Sequence, residues 1–98
     1  MDEASARTLL TAQSRPYLPR HIRLREDKAR GVWIILAPER VFNPDPIAVA
    51  VLQLCDGERS LAMIAERLAR DYDAAAETVL ADIIDMLQQL ADKGVVKA

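Results

Sequence analysis

Cysteine, histidine, tryptophan and phenylalanine each occur once in this chain of 98 residues. A single cysteine, Cys55, excludes a disulfide within the chain, and His21 is its only imidazole partner. Zinc-type sites need about four clustered ligands, or three with an open position, and His and Cys alone cannot supply them here. Both residues sit inside apolar patterns. Cys55 therefore reads as a small buried hydrophobe at a helix end and His21 as an exposed strand residue. No catalytic residue, metal or cofactor is expected. Aromatic residues make up 4%, so the core must be aliphatic. No apolar run reaches the roughly 18 residues of a membrane span, and residues 1–14 lack the apolar centre of a signal peptide. A reduced, cytoplasmic protein is the expectation. Nor is there an excess of positive charge: 13 Lys and Arg against 15 Asp and Glu leave a net charge of −2. A dedicated nucleic-acid binder would rest on a basic surface.

What is present is a globular composition, 51% hydrophobic and 29% charged, in a length that suits one domain. Residues 1–15 show no period and read as a flexible arm, extended where Pro16 and Pro19 follow. Residues 16–98 read as one domain. From His21 to Glu26 the pattern alternates, with Ile22 and Leu24 on one side and Arg23 and Arg25 on the other, as in a half-buried strand. A turn over Asp27–Gly31 leads to Val32–Ala37, and Pro38-Glu39 leads to a short strand, Arg40–Asn43. These three strands, within about 20–43, form an antiparallel meander. Asp45 caps and Pro46 starts a helix over about 46–55, with only Gln53 polar between Ile47 and Cys55, so burial nearly all round is expected. Ser60 caps a helix over 61–71, and Asp73 caps one over 74–93 that Gly94 ends. Val95–Lys97 is too short to classify and has room for one edge strand. The fold class is α+β: a three-stranded meander followed by three helices, winged helix-turn-helix-like.

Two segments carry more apolar surface than a small core needs. Val32, Ile34 and Leu36 face one side of the second strand, and Trp33, Ile35 and Ala37 face the other. A sheet of this kind usually meets the core on one face only. The second face is covered by the arm, by another copy of the chain or by a different partner, or it is tolerated in water. On the third helix, Leu80, Ile84, Leu87 and Ala91 make one stripe and Val79, Ile83, Met86 and Leu90 a second beside it. The second is either part of one wide core face or the wall of a groove, where a methionine suits contact with a variable peptide.

A winged-helix architecture raises the possibility of DNA in contact with the third helix. Charge opposes it, because residues 73–93 hold five acids (Asp73, Glu77, Asp82, Asp85, Asp92) and one base, Lys93. Before Pro46 there are eight bases and six acids, so the sheet half is about +2 and the helical half about −4.

The run Leu36-Ala37-Pro38-Glu39-Arg40, then Asn43, Leu54-Cys55-Asp56-Gly57, Ile64-Ala65 with Leu68, Tyr72, and Leu90 with Gly94 resembles, in order and spacing, the PqqD family of pyrroloquinoline quinone biosynthesis. The resemblance covers about residues 15–97. It implies a peptide chaperone, a recognition element for ribosomally made peptides, and not an enzyme. Its implied partners are the precursor peptide PqqA and the radical S-adenosylmethionine enzyme PqqE, which cross-links a Glu and a Tyr of the peptide. It also implies that the peptide lies as an added strand against the third strand, beside the third helix. An adaptor for another peptide-modifying system is the alternative, and a nucleic-acid module a weaker one.

The residues lead to the same place. A short third strand at the edge of a meander is a template for strand addition. The expected main-chain contacts are Arg40, Val41, Phe42 and Asn43, with a pocket from Val79, Ile83 and Met86 and Leu87 below. Arg40 pairs with an acidic peptide side chain or is a solvated charge that protects the edge. Asp82 and Asp85 read as a wet face in preference to a groove rim. The two-faced second strand and the stiff Asn43–Pro46 joint also offer a route to a homodimer, by exchange of the sheet between two copies.

Overall fold

A computed structural model describes residues 9–98. It contains strands β1 (Arg23–Asp27), β2 (Val32–Ala37) and β3 (Arg40–Phe42), then helices α1 (Pro46–Gln53), α2 (Leu61–Asp71) and α3 (Ala76–Asp92). The sheet is antiparallel in the order β1-β2-β3. The α+β meander-then-helices architecture is the one the sequence indicates, with element ends shifted by up to two residues.

Local chemistry accounts for most boundaries. Asp27 closes the first turn, its carbonyl accepting from Gly31 N–H at 2.9 Å. Between β2 and β3, Pro38 is followed by Glu39 at φ 64°, a position a type II turn normally gives to glycine. Asp45 caps α1, its carboxylate accepting from Ala48 N–H at 2.8 Å, and Ser60 caps α2 through Met63 N–H at 3.2 Å. Past α3, Gly94 at φ 78° lets Val95 N–H reach Leu90 C=O at 2.9 Å, so the chain turns and buries Val95 and Val96.

Asp73 departs from the expected role. It does not cap the third helix, whose N-cap is Ala75 with no side-chain bond. It sits instead just past α2 at φ 52°, where Ala74 N–H reaches Ala69 C=O at 2.9 Å. This is the left-handed helix stop usually taken by glycine, and Asp is among the few other residues that tolerate it.

Part of the arm, residues 1–8, lies outside the described residues. The remainder, 9–15, is packed. Leu10 is buried, and its N–H donates to Gln88 Oε1 at 3.0 Å. The carbonyls of Ser14 and Ala12 accept from Leu61 and Ala62 N–H, both at 2.9 Å, which satisfies free donors at the start of α2. Tyr17 and Lys97 exchange backbone bonds of 2.7 and 2.9 Å, so the chain's last residues form a bridge to this segment and not a strand of the sheet. Gly57 N–H donates to Pro16 C=O at 2.9 Å. At φ 80°, Gly57 takes a left-handed backbone that residues with a Cβ rarely adopt, and Tyr17 packs beside it at ordinary contact distance.

The core is aliphatic and formed mainly by the helices: Val51 and Leu52 from α1, Leu61, Ile64 and Leu68 from α2, Ile83 and Leu87 from α3. The sheet contributes one fully buried side chain, Ile35, flanked across the strands by Leu24 and Phe42. On the opposite face, Val32, Ile34, Leu36 and Val41 are exposed or half-buried, so no described residue closes it.

Candidate functional site

The register determines what β3 offers. A two-residue connection makes Ala37 and Arg40 a hydrogen-bonded pair. Pairing then alternates. Phe42 bonds to Ile35, whereas Val41 stands opposite Leu36 in a non-hydrogen-bonded pair. The Val41 N–H and C=O therefore point away from β2, to the open edge, and the pairing ends at Phe42, before Asn43. Of the four residues expected to make main-chain contacts, Val41 has groups to offer at the edge, Arg40 and Phe42 have committed theirs to the hairpin, and Asn43 lies just past the strand.

The side chains of Arg40 and Phe42 face the helices. The Arg40 guanidinium stands 5.2 Å from the Phe42 ring centre, and its Nη2 donates to Lys93 C=O at 3.2 Å, at the carbonyl-rich end of α3. Lys93 Nζ lies 5.8 Å from the same ring. Arg40 is thus neither a purely solvated charge nor held by a carboxylate. It ties the edge strand to α3.

Two adjoining hollows open beside these groups. One, of about 260 Å³, is lined by Phe42 and Asn43 on one side and by Met86, Leu90 and Lys93 on the other. A larger one, of about 460 Å³, lies between the helices: Ile47 and Val51 of α1, Leu68 and Tyr72 from α2 and its end, and Val79, Ile83 and Met86 of α3. Asp45 and Met86 line both. The expected pocket residues Val79, Ile83 and Met86 do share a cavity, but its main part extends toward α1 and α2, away from β3. Leu87 has 0% exposure and can support a ligand without touching it.

The two stripes of α3 resolve accordingly. The most buried line runs through Ile83 and Leu87, one residue from each stripe, and Val79, Met86 and Leu90 remain half-buried. Both readings of the second stripe hold in part. Ile47 and Tyr72 were not expected at the site. Ile47, expected to be buried, is 51% exposed at the mouth of the cavity. The signal for it was present in α1, which is apolar nearly all round although one face suffices for the core. Asp82, read as a wet face, also lines the cavity; Asp85 does not.

Cys55 lies outside this region, buried, its Sγ 3.3 Å from Val51 C=O. Burial, with the Asp56 charge second, pushes its thiol up to about 12, so it is no nucleophile at neutral pH. Asp56 is held below the usual carboxylate range, first by the Arg59 N–H and then by that of Glu58. His21 is exposed.

These features define a class: a small winged helix-turn-helix-like domain with a free strand edge beside an apolar groove. The family model for coenzyme PQQ synthesis protein D matches residues 33–96. The chain belongs to the PqqD family. It is 60% identical over 81 residues to a PqqA binding protein of Bradyrhizobium diazoefficiens, spanning 83% of this chain and 79% of that one. It is 48% identical over 84 residues to one from Xanthomonas axonopodis pv. citri, spanning 86% and 91%. Among solved structures, the PqqD truncation of Methylobacterium extorquens PqqCD, a stand-alone recognition element for ribosomally synthesised and modified peptides, superimposes with a TM-score of 0.80. That pair is 44% identical, with coverage of 91% and 95%. The crystal structure of PqqD from Xanthomonas campestris gives 0.59 at 40% identity, covering 91% and 99%.

Proposed function

We propose that this chain is the peptide chaperone of pyrroloquinoline quinone biosynthesis: it binds the precursor peptide PqqA and presents it to the radical enzyme PqqE, in the cytoplasm, without catalysis of its own. The observation that carries this reading is the outward-facing main chain of Val41 beside the groove under Phe42 and Met86. An extended peptide adds there as a fourth strand and draws affinity from backbone hydrogen bonds. Alternate side chains then turn into the groove, and an extended segment remains reachable by an enzyme. The names of the relatives support the identity of the peptide. No helix among the described residues is long and apolar enough to cross a membrane. Titration calorimetry of the chain with PqqA tests the reading. Saturable one-to-one binding is expected, and no heat at micromolar concentrations would refute it.

The open sheet face of Val32, Ile34, Leu36 and Val41 is the surface left for PqqE or for a second copy of the chain, and a sheet exchanged about the Asn43–Pro46 joint would form such a homodimer. Light scattering over a concentration series, with and without PqqE, separates the two: a constant monomer mass alone and a heterodimer mass with the enzyme would assign the face to the enzyme.

A further inference from the structure

The groove has a charge at each end, and the two differ in sign. At the β3 end, Arg40 and Lys93 flank the Phe42 ring. At the far end, Asp82 lines the larger cavity among apolar walls, and Asp45 stands where the two hollows meet. No ion pair within the described residues occupies Arg40, Lys93 or Asp82. These charges border one continuous depression, because Asp45 and Met86 belong to both hollows.

We infer that the bound peptide is read by charge as well as by backbone: it places a basic side chain at Asp82 and an acidic one at Arg40 and Lys93, with a bulky apolar side chain in the cavity beside the basic one. The inference rests on the strand-addition reading above and adds to it a polarity and a spacing. Asp82 and Lys93 are eleven residues apart on and just past α3, about 16 Å at 1.5 Å per residue. An extended peptide advances about 3.3 Å per residue. Only every second side chain of an extended strand faces the groove, so the basic and acidic residues of the ligand are about four or six positions apart. Backbone bonding alone leaves a strand free to slip by two residues or to reverse. Opposite charges at the two ends select one register and one direction, because a slipped peptide loses both pairings and a reversed one brings like charges together.

The test is calorimetric titration of the full chain with PqqA and with PqqA variants in which each Lys or Arg, and separately each Glu or Asp, is reversed in charge. Asp82 is exposed, so Asp82→Lys should leave the fold intact, as checked by circular dichroism. Asp82→Lys is expected to weaken PqqA binding about tenfold at low salt, and less at high salt. One basic-to-Glu change in the peptide should weaken binding to the unaltered chain to a similar degree and recover it with Asp82→Lys. One acidic-to-Lys change about four or six positions away should do the same with Lys93→Glu. If the unaltered chain binds but Asp82→Lys and Lys93→Glu both bind within twofold of it, charge reading is overturned and the strand-addition reading stands. If the unaltered chain does not bind PqqA, both fall together.

Discussion

Val41→Pro separates the ligand's backbone bonds from those of the protein itself. In most strands a proline removes an internal ladder bond and destabilises the sheet. At Val41 it should not, because the N–H it removes points to the open edge and the ladder bonds of β3 belong to Arg40 and Phe42. The side chain lost is 57% exposed, so little packing goes with it. The expected change in stability is under about 1 kcal/mol, as for other edge prolines. Binding should respond differently. One main-chain hydrogen bond to the peptide contributes about 0.5–1.5 kcal/mol net, and the ring also crowds the incoming strand. Affinity for PqqA should fall about tenfold, which corresponds to about 1.4 kcal/mol. Calorimetry gives the affinity and thermal melting by far-UV circular dichroism gives the stability. Unchanged affinity with an intact fold would refute strand addition at β3. A lost fold would refute the assignment of the Val41 N–H to the free edge.

Other outcomes follow from the same geometry. Met86→Lys should weaken PqqA binding on the order of tenfold while leaving the melting curve in place, because the lysine stem can follow the groove with its ammonium in water; unfolding would make Met86 core. Leu87→Ala should cost about 2–5 kcal/mol in urea denaturation, as for other fully buried leucines; a cost below about 1 kcal/mol would contradict its burial. Iodoacetamide at pH 8 should leave Cys55 unmodified in the native chain and alkylate it in denaturant, with equal rates as the refuting result. The raised thiol pKa also carries a sign. The unfolded thiol ionises near 9.0 and the folded one near 12, so this contribution to stability is complete below about pH 9 and lost as the pH rises toward 12.

Much of the fold was legible because its signals are local. Asp45-Pro46 and Ser60 start helices through bonds to N–H groups three residues on, and Gly94 stops one by taking a positive φ. Asp73 was misread for a related reason. A short polar side chain between two helices suits the end of one as well as the start of the next, and the local pattern does not choose. Ile47 and Tyr72 were missed because an exposed apolar side chain at a cavity mouth has the same local pattern as a buried one. The packed part of the arm, Leu10 to Tyr17, shows no period because it answers to isolated partners far along the chain: Gln88, Leu61 and Lys97.

The sequence by itself determined the order of strands and helices, their caps, and the division of charge into a mildly basic sheet half and an acidic helical half. These follow from spacing, backbone preference and the count of ionisable groups, none of which depends on distant residues. The tertiary structure alone decided which apolar surfaces became core and which became groove. The docking of α3 against α2 buries Ile83 and Leu87 and leaves Val79 and Met86 open beside Ile47, because one helix cannot bury both flanks in so small a domain. It also decided which main-chain groups of β3 face outward. That depends on the pairing of Ala37 with Arg40, a contact set by the turn between two strands and by no residue of β3 taken alone.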